Sequence, residues 1–368
     1  MHLGIDASRS ATAQRTGTEG YAYHLIRALL PLAQERGHQI TLYFNQAPVA
    51  DAFPGAAPEI IPFPRLWTHL RLGWALRRHP PDLFFTPAHV IPWSYFGPSV
   101  ATVHDLGYRV FPSAHTRFQL AYLNWSTLHN ARRSRLVLAD SNVTRDDLAR
   151  HYHISPRKIR VVYPGVDPSL AQVRAAQTLA ATQAKYTISS PYFLYLGTIQ
   201  PRKNLVRLVE AYGASDVPET LVLAGKAGWL SQPILDAMSR LPLPVQARIR
   251  ITGFVDEADK AALLSGATAL LYPSLYEGFG FPVLEAQACA TPVLCANSSS
   301  LPEVAGDGAL LVDAASTEAI REGIIQLSGD ASLREQLVAA GQANVQRFSW
   351  EQTAECTLAV LEEAANGA

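Results

Sequence analysis

The sequence predicts an α/β protein of two domains, each built on a parallel β-sheet. Its 368 residues exceed the usual size of a single hydrophobic core. Short apolar runs alternate with helical patterns along both halves, and this alternation is typical of parallel sheets. Between the halves, residues 171–190 are rich in Ala, Gln and Thr and lack a strong apolar stripe. Such a stretch indicates a domain boundary there or just before it.

The composition narrows the class of protein. With 48% hydrophobic and 17% charged residues, the chain can bury substantial cores and is not of the disordered type. Its 31 basic and 31 acidic residues give a formal net charge of +0, so nothing global favours nucleic acid as a partner. We find no secretory leader and no apolar run of membrane-spanning length, and expect a cytoplasmic protein, soluble or peripheral at the inner membrane face.

The three cysteines, Cys289, Cys295 and Cys356, have no metal-ligand spacing and are odd in number. Because the first two lie around a predicted strand, we expect buried free thiols.

The predicted strands fix where ligands would bind. The first half opens with a strand at 3–7, a polar loop at 8–20 and an amphipathic helix from near Tyr21. Further strands of this half are predicted at 39–44, 59–62, 82–86, 99–103 and 135–139. Those of the second half are predicted at 192–197, 221–224, 248–252, 268–272 and 292–296. Parallel sheets bind ligands at the carboxyl ends of their strands, so the loops that follow these runs are candidate sites.

The stretch 274–286 is the centre of the second half. An apolar run precedes it and a helical pattern follows Pro282, so it predicts strand, glycine-rich loop and helix. Glycines let a backbone approach a ligand closely, and a helix start presents unpaired N–H groups that favour anions or polar oxygens. The expected donors are the amides of this loop, at Gly278, Phe279, Gly280 and Phe281.

Two carboxylates accompany this loop, Glu277 within it and Glu285 in the helix. Their separation suits two hydroxyl-bearing parts of an extended ligand rather than one metal ion. Taken alone, two such glutamates are more often a solvated loop carboxylate and a helix residue paired with a neighbour.

Two other loops of the second half follow predicted strands. Arg202 and Lys203 stand at a helix start after Pro201, where a forked guanidinium and a point charge suit a diphosphate, although a solvated pair is the default elsewhere. Gly253, Phe254 and Val255 form a turn that could meet a base, or be an ordinary strand end.

The first half offers weaker candidates. His104 and Asp105 directly follow the strand at 99–103, and position alone leaves a site and a histidine capping the sheet about equally favoured. Gly17 lies in the phrase 16–20 at a helix start, where amides could meet a phosphate, but such turns are common. Six aromatic or histidine side chains could line an acceptor cleft, although each alone favours a structural role: His89, Trp93, Tyr95, Phe96, His115 and Trp125.

Residues 63–79 combine arginines with Trp67 and Trp74. A basic, aromatic helix is compatible with an anionic membrane surface or a lipid diphosphate. The favoured interpretation is that Trp and Leu pack on the sheet while the arginines stay in water.

The phrase Glu-Gly-Phe-Gly-Phe-Pro-Val-Leu-Glu-Ala at 277–286 resembles the nucleotide-sugar signature of the family-four retaining glycosyltransferases, which have the GT-B fold. The resemblance covers nearly the whole chain and is most specific over 192–306. It implies two Rossmann-like domains with a cleft between them. It places an acceptor domain at 1–170, a nucleotide-sugar domain at 171–348 and, at 349–368, a C-terminal helix that packs back on the first domain.

The resemblance also implies roles for the residues of the second half. Glu277 would contact hydroxyls of the donor sugar and position it, and Glu285 would contact the ribose. Arg202 and Lys203 would hold the diphosphate, and the backbone of 253–255 would touch the base. In the first half, His104 would reach the donor sugar and Asp105 would lie toward the acceptor. Gly17 would face the diphosphate, although the family's paired glycines are here replaced by Gly-Thr-Glu-Gly.

The predicted function is transfer of a hexose from a nucleotide-diphosphate sugar to a glycan or lipid-linked acceptor, with retention of anomeric configuration. The likeness to bacterial polysaccharide mannosyltransferases favours GDP-mannose, with UDP-glucose close behind. No acidic pair typical of a divalent-metal site is present, so we expect no metal and no other cofactor. The alternatives are a GT-B nucleotide-sugar epimerase and a non-catalytic subunit that binds nucleotide-sugar.

Overall fold

The computed structural model describes residues 1–12, 15, 17–63, 65–112, 115–228 and 230–367. The chain divides into two compact units. The N-terminal unit comprises 1–109, 115–165 and 348–368, and the C-terminal unit comprises 110–114 and 166–347. Within the described ranges, no helix is both long and apolar enough to cross a lipid bilayer.

The N-terminal unit is built on a parallel sheet with seven described strands in the order β3-β2-β1-β4-β5-β6-β7. The strands are β1 His2–Asp6, β2 Gln39–Phe44, β3 Ala57–Ile60, β4 Leu83–Thr86, β5 Ser99–Val103, β6 Leu136–Ala139 and β7 Ile159–Val161. Every residue of β4, β5 and β6 is buried. Continuous apolar runs form such strands because helices cover both faces of a parallel sheet.

The helices of this unit begin with well-satisfied ends. They are α1 Gly17–Glu35, α2 Gly73–Arg78, α3 Gly107–Val110, α4 Arg117–Arg133 and α5 Asn142–Tyr152. A π-helical turn, Thr68–Leu72, leads into α2. Thr116 and Gln119 form a capping box at the start of α4. The side chain of Ser141 accepts from the Thr144 amide at 3.1 Å, so the predicted cap of α5 is confirmed.

The C-terminal unit has a second parallel sheet with six described strands in the order β10-β9-β8-β11-β12-β13. Its strands are β8 Tyr192–Leu196, β9 Thr220–Ala224, β10 Ile249–Gly253, β11 Ala269–Tyr272, β12 Val293–Ala296 and β13 Leu310–Val312. Its helices are α6 Ala176–Tyr186, α7 Leu205–Gly213, α8 Gln232–Ser239, α9 Leu243–Gln246, α10 Glu257–Ser265, α11 Phe281–Ala288, α12 Leu301–Ala305, α13 Thr317–Gly329 and α14 Ala331–Val345. The two predicted Rossmann-like sheets are thus both present.

The last helix, α15 Trp350–Ala365, follows the C-terminal unit in sequence but belongs to the N-terminal unit, where it packs on α1. Its buried Trp350 stacks on His24 of α1, with ring centroids 5.4 Å apart. Ser349 caps the helix by accepting from the Gln352 amide at 3.1 Å. The predicted return of the C-terminal helix to the first domain is therefore confirmed.

Two element boundaries differ from the predicted ones. Helix α1 begins at Gly17 rather than near Tyr21, because the segment after Gly17 takes up the first turn of the helix and Glu19 lies in that turn, where a carboxylate is favourable. Strand β3 spans 57–60 rather than 59–62, because its partner β2 ends at Phe44, which pairs with Ile60. Cys289 and Cys295 are buried free thiols, as expected, and Cys356 is exposed.

Candidate active site

Glu277 is the centre of a buried polar cluster at the carboxyl edge of the second sheet. Its side chain is 6% exposed and lies in the loop between β11 and α11. Arg202 Nη1 donates to its Oε2 at 3.0 Å, and Lys203 Nζ donates to its Oε1 at 2.6 Å. Tyr272, the last residue of β11, donates to Oε1 at 3.0 Å, and Ser274 donates to the same oxygen. The sequence-predicted glutamate and both predicted cations therefore meet at one point.

The two cations reach Glu277 because of the turn that carries them. A 3-10 turn, Pro201–Lys203, follows β8, and Asn204 ends it in the left-handed conformation with φ 62. The buried Asn204 amide donates to the carbonyl oxygens of Pro273 and Ala314 at 3.0 and 2.7 Å. Asparagine tolerates this conformation better than most residues, and here its side chain also ties the turn to the Glu277 loop.

The protonation state of Glu277 follows from these contacts. Burial alone would raise its pKa, but the charges of Arg202 and Lys203 outweigh burial and lower the pKa to about 2. The carboxylate is therefore ionised at neutral pH. Two cations and one carboxylate leave the cluster with one positive charge in excess, which favours an additional anion.

The glycine-rich loop is held by serines of the following loop. Gly280 has φ 117, and a Cβ on it would lie 2.7 Å from Leu301 Cδ2, so both conformation and space require glycine. Ser300 donates to the carbonyl oxygens of Glu277 and Phe279 at 2.9 and 2.6 Å. Since α11 begins at Phe281, the serine contacts fix the loop at a helix start.

Glu285 lies on α11 and pairs with Lys260 of α10. Lys260 Nζ contacts Glu285 Oε1 at 3.1 Å and Glu257 Oε2 at 2.9 Å. Burial would lower the pKa of Lys260, but the two carboxylates raise it above its ordinary value. Glu285 is thus oriented by a charged neighbour, while its side chain keeps partial exposure.

The predicted base loop lies where three strands of the sheet end side by side. Gly197, Gly225 and Gly253 follow or end the neighbouring strands β8, β9 and β10. Gly225 has φ 150, and a Cβ on it would lie 1.9 Å from the Gly197 carbonyl oxygen, so the edge closes only with glycine there. Lys226 lies over the Phe254 ring at 4.5 Å, and Val255 is buried beside it. The Phe254 ring thus already has a cationic neighbour.

His104 follows β5 and is held inside the N-terminal unit by both ring nitrogens. Nδ1 lies 2.6 Å from Asp140 Oδ2, and Nε2 lies 2.9 Å from the Pro87 carbonyl oxygen. Both partners accept, so both nitrogens donate and the ring is an imidazolium. Burial lowers the pKa of His104, but Asp140 outweighs burial and raises it above its ordinary value. A sugar contact through either nitrogen would have to replace one of these bonds.

The remaining predicted residues of this unit have local roles. Asp105 Oδ1 accepts from the Gly107 amide at 2.8 Å and so caps the start of α3. Gly17 is the first residue of α1, and Thr16 beside it lies outside the described residues.

Four residues of these clusters were not predicted. Asp140 follows β6 as His104 follows β5, so strand-end reasoning could have found it. Tyr272 ends a predicted strand, but the run does not show where its hydroxyl points. Lys226 and Lys260 reach their partners through tertiary contacts that no local pattern signals.

Family models match both halves of the chain. The model described as "Glycosyl transferases group 1" matches residues 182–344, and the model described as "Glycosyltransferase Family 4" matches residues 15–170. The C-terminal match contains the Glu277 cluster, and the N-terminal match contains His104.

Known proteins agree with these matches. The chain is 32% identical over 304 residues to O-antigen chain mannosyltransferase B of Escherichia coli, covering 82% of this chain and 79% of that protein. Sucrose-phosphate synthase of Thermosynechococcus elongatus aligns with a TM-score of 0.78 at 19% identity, over 100% of both chains. HepE of Anabaena, solved with UDP and glucose, aligns with a TM-score of 0.75 at 17% identity, over 98% of this chain and 99% of that one. The chain has the GT-B fold and belongs to the family-four glycosyltransferases.

Proposed function

We propose that this glycosyltransferase is a retaining mannosyltransferase that moves mannose from GDP-mannose to a glycan or lipid-linked acceptor. The observation that carries the proposal is the Glu277 cluster, in which Arg202 and Lys203 exceed the carboxylate by one charge. The relative from E. coli, an O-antigen chain mannosyltransferase, supports mannose and a growing polysaccharide.

In this proposal the donor diphosphate lies against Arg202 and Lys203. Guanidinium and ammonium groups stabilise the charge that develops on a departing diphosphate, and they do so most effectively in a water-poor site. With these two side chains and the amides at the start of α11, the reaction needs no metal ion. Glu277 keeps both cations in place and presents a carboxylate to the hydroxyls of the sugar.

Glu285 and the 253–255 turn would hold the nucleoside. A carboxylate can accept from both ribose hydroxyls, and Lys260 holds that of Glu285 in one orientation. The backbone of Gly253, Phe254 and Val255 would meet the base, with Lys226 on the Phe254 ring limiting the position of the turn. Gly17, Gly278, Phe279, Gly280 and Phe281 would supply backbone amides.

The bond changes balance without an added reactant. The bond from sugar C1 to the diphosphate oxygen breaks, and a bond from the acceptor oxygen to C1 forms on the same face. The acceptor proton passes to the departing diphosphate oxygen. Glu277 then positions the sugar and is not the nucleophile, while His104 and Asp105 act from the N-terminal unit on the sugar and the acceptor.

Residues 63–79 are proposed to contact an anionic membrane surface. Trp67 is buried at 6% exposure, whereas Trp74 is 53% exposed and has Arg78 over its ring at 5.3 Å. Leu70 and Arg71 are exposed as well, and Pro64 lies outside the described residues. An exposed tryptophan beside arginines suits the headgroup region of a bilayer.

The test starts with titration calorimetry of GDP, UDP, ADP and dTDP, each with magnesium and with a chelator. We expect selective binding of GDP that magnesium does not change. Turnover of GDP-mannose with an α-mannoside acceptor, followed by NMR, should then give an α-linked product.

Other outcomes identify the alternatives. Selective UDP binding would favour a UDP-sugar donor, which the HepE complex with UDP and glucose makes the second candidate. Conversion of the nucleotide-sugar without acceptor would indicate an epimerase. Nucleotide binding without turnover on any acceptor would favour a non-catalytic subunit.

A further inference from the structure

The N-terminal unit contains a cavity of about 570 Å³ at the carboxyl edge of its sheet. It is lined by loops that follow four neighbouring strands, β3, β2, β1 and β4, and by the first turns of α4. Ser8, Asn45 and His89 represent three of these loops in its wall. The volume lies within the range of about 300–1,000 Å³ that small-molecule sites occupy.

Buried oxygens at this edge lack hydrogen-bond partners among the described residues. Asp6 ends β1 and is 2% exposed; its Oδ1 accepts from the amide and hydroxyl of Ser8, but its Oδ2 has no partner there. Asn45, which follows β2 and lines the cavity, has a buried Oδ1 in the same situation, as has the Thr86 hydroxyl at the end of β4. Native proteins leave few buried polar atoms unsatisfied, so three at one sheet edge indicate a ligand.

These oxygens define the chemistry of that ligand. Asp6 Oδ2 and Asn45 Oδ1 accept, so the ligand must bring hydrogen-bond donors, which a phosphate oxygen cannot do. His89 Nδ1 lies 3.9 Å from Asp6 Oδ2 and forms a hydrogen bond with Thr68 Oγ1 at 2.9 Å, so the wall also offers donors. A sugar ring carries hydroxyls that both donate and accept.

The rest of the lining fits a neutral sugar as well. Phe118 and Tyr122 are exposed aromatic residues of α4 in the cavity wall. Their rings offer flat apolar surfaces to the C–H face of a pyranose. Arg9 is 3.9 Å from Glu19, so one cation of the lining has a carboxylate beside it. The wall is therefore polar without a large excess of charge.

We propose that this cavity binds the terminal sugar of the acceptor glycan, with ring hydroxyls donating to Asp6 and Asn45 and one sugar face resting on Tyr122. The proposal depends on the proposed function for the role of that sugar as acceptor. It concerns residues of the N-terminal unit, and the donor-binding residues lie in the C-terminal unit, so the two can be tested separately.

The experiment uses the full chain without donor. Saturation-transfer NMR and titration with methyl α-mannopyranoside and an α-mannobiose are compared with inorganic phosphate. We expect both sugars to bind and phosphate not to compete. Asn45→Ala and Tyr122→Ala should each weaken sugar binding by about threefold to tenfold, the usual value of one buried hydrogen bond or stacking contact. Asp6→Asn should cost about tenfold or more, because its partner is charged.

The matched control is Asp51→Asn, an exposed carboxylate of the same unit whose φ of 57 asparagine tolerates. It should leave sugar binding unchanged. In turnover, the cavity variants should raise KM for the acceptor and leave GDP binding as in the wild type. If Asp6→Asn does not fold, Asn45→Ala and Tyr122→Ala carry the test.

Failure of this inference and failure of the proposed function give different results. Wild-type GDP binding with no sugar binding, or with unchanged acceptor KM in the cavity variants, would overturn the acceptor subsite alone. Competition by phosphate would overturn the neutral-sugar assignment. Loss of GDP binding in the wild type would refute the proposed donor, while sugar binding to the cavity could still be measured.

Discussion

The two units place buried charge at corresponding edges of their sheets, but in different balance. In the C-terminal unit, Glu277 faces Arg202 and Lys203 and leaves one positive charge in excess. In the N-terminal unit, the imidazolium of His104 is matched by Asp140 and leaves none. A parallel sheet therefore gives a location for ligands, while the charge balance of the side chains after its strands decides which ligand. The first edge suits an anion, and the second suits neutral hydroxyls.

The strongest way to break this comparison is to remove the excess charge. Replacing both Arg202 and Lys203 by Ala should lower kcat by about 10²–10³, because each charge contact to a departing group contributes on the order of 3 kcal/mol in the barrier. Donor binding should weaken as well, which calorimetry with the chosen nucleotide would show. Arg240→Ala, an exposed arginine of the same unit, is the control. A double variant with the wild-type rate would refute the assignment.

The acid limb of stability should belong to the C-terminal unit. The pKa of Glu277 falls from 4.5 to about 2 on folding, so its contribution is present above pH 4.5 and is lost as pH falls through about 2. The shift corresponds to about 3 kcal/mol at neutral pH. Urea unfolding of wild type and Glu277→Gln should differ most at pH 7 and progressively less below pH 4.5. A difference that is constant with pH would contradict the role of this charge.

The alkaline limb should belong to the N-terminal unit. Asp140 raises the pKa of His104 above its ordinary 6.5, so the contribution is full below pH 6.5 and is lost as pH rises through the folded-state value. Each unit of that shift adds about 1.4 kcal/mol. The gap in unfolding free energy between wild type and His104→Asn should therefore narrow from pH 6 upward. His79→Asn, at an exposed histidine, should show no such trend. If His104→Asn matches wild type throughout, the imidazolium assignment is wrong.

How much the sequence could predict depends on the range of the contact. Strand ends placed Glu277, Arg202 and His104 at sheet edges, because apolar runs and glycine-rich turns are local signals. Their partners were harder to predict. His104 is saturated by Asp140 and Pro87, which are far from it in sequence and meet it only when the strands pair.

Short or tertiary features stayed outside the prediction for the same reason. Strand β13 has three residues, too few for a period to show. The Lys260–Glu285 contact joins two helices, and the cavity beside Asp6 depends on four loops packing at one edge. Binary patterns indicate which residues are buried, but not which polar atoms lack partners once buried.

The smallest expected effect concerns the exposed face of the N-terminal unit, where charge is again unbalanced. Arg71 and Arg78 flank the exposed Trp74 in 63–79, and each arginine near an anionic bilayer contributes about 1 kcal/mol. Arg71→Ala or Arg78→Ala should therefore weaken cosedimentation with phosphatidylglycerol vesicles about fivefold and leave neutral vesicles unaffected. Arg157→Ala, an exposed arginine elsewhere in the unit, is the control. If the wild type binds neither vesicle, the charge of this face serves solubility, and the distinction between the units rests on their buried edges alone.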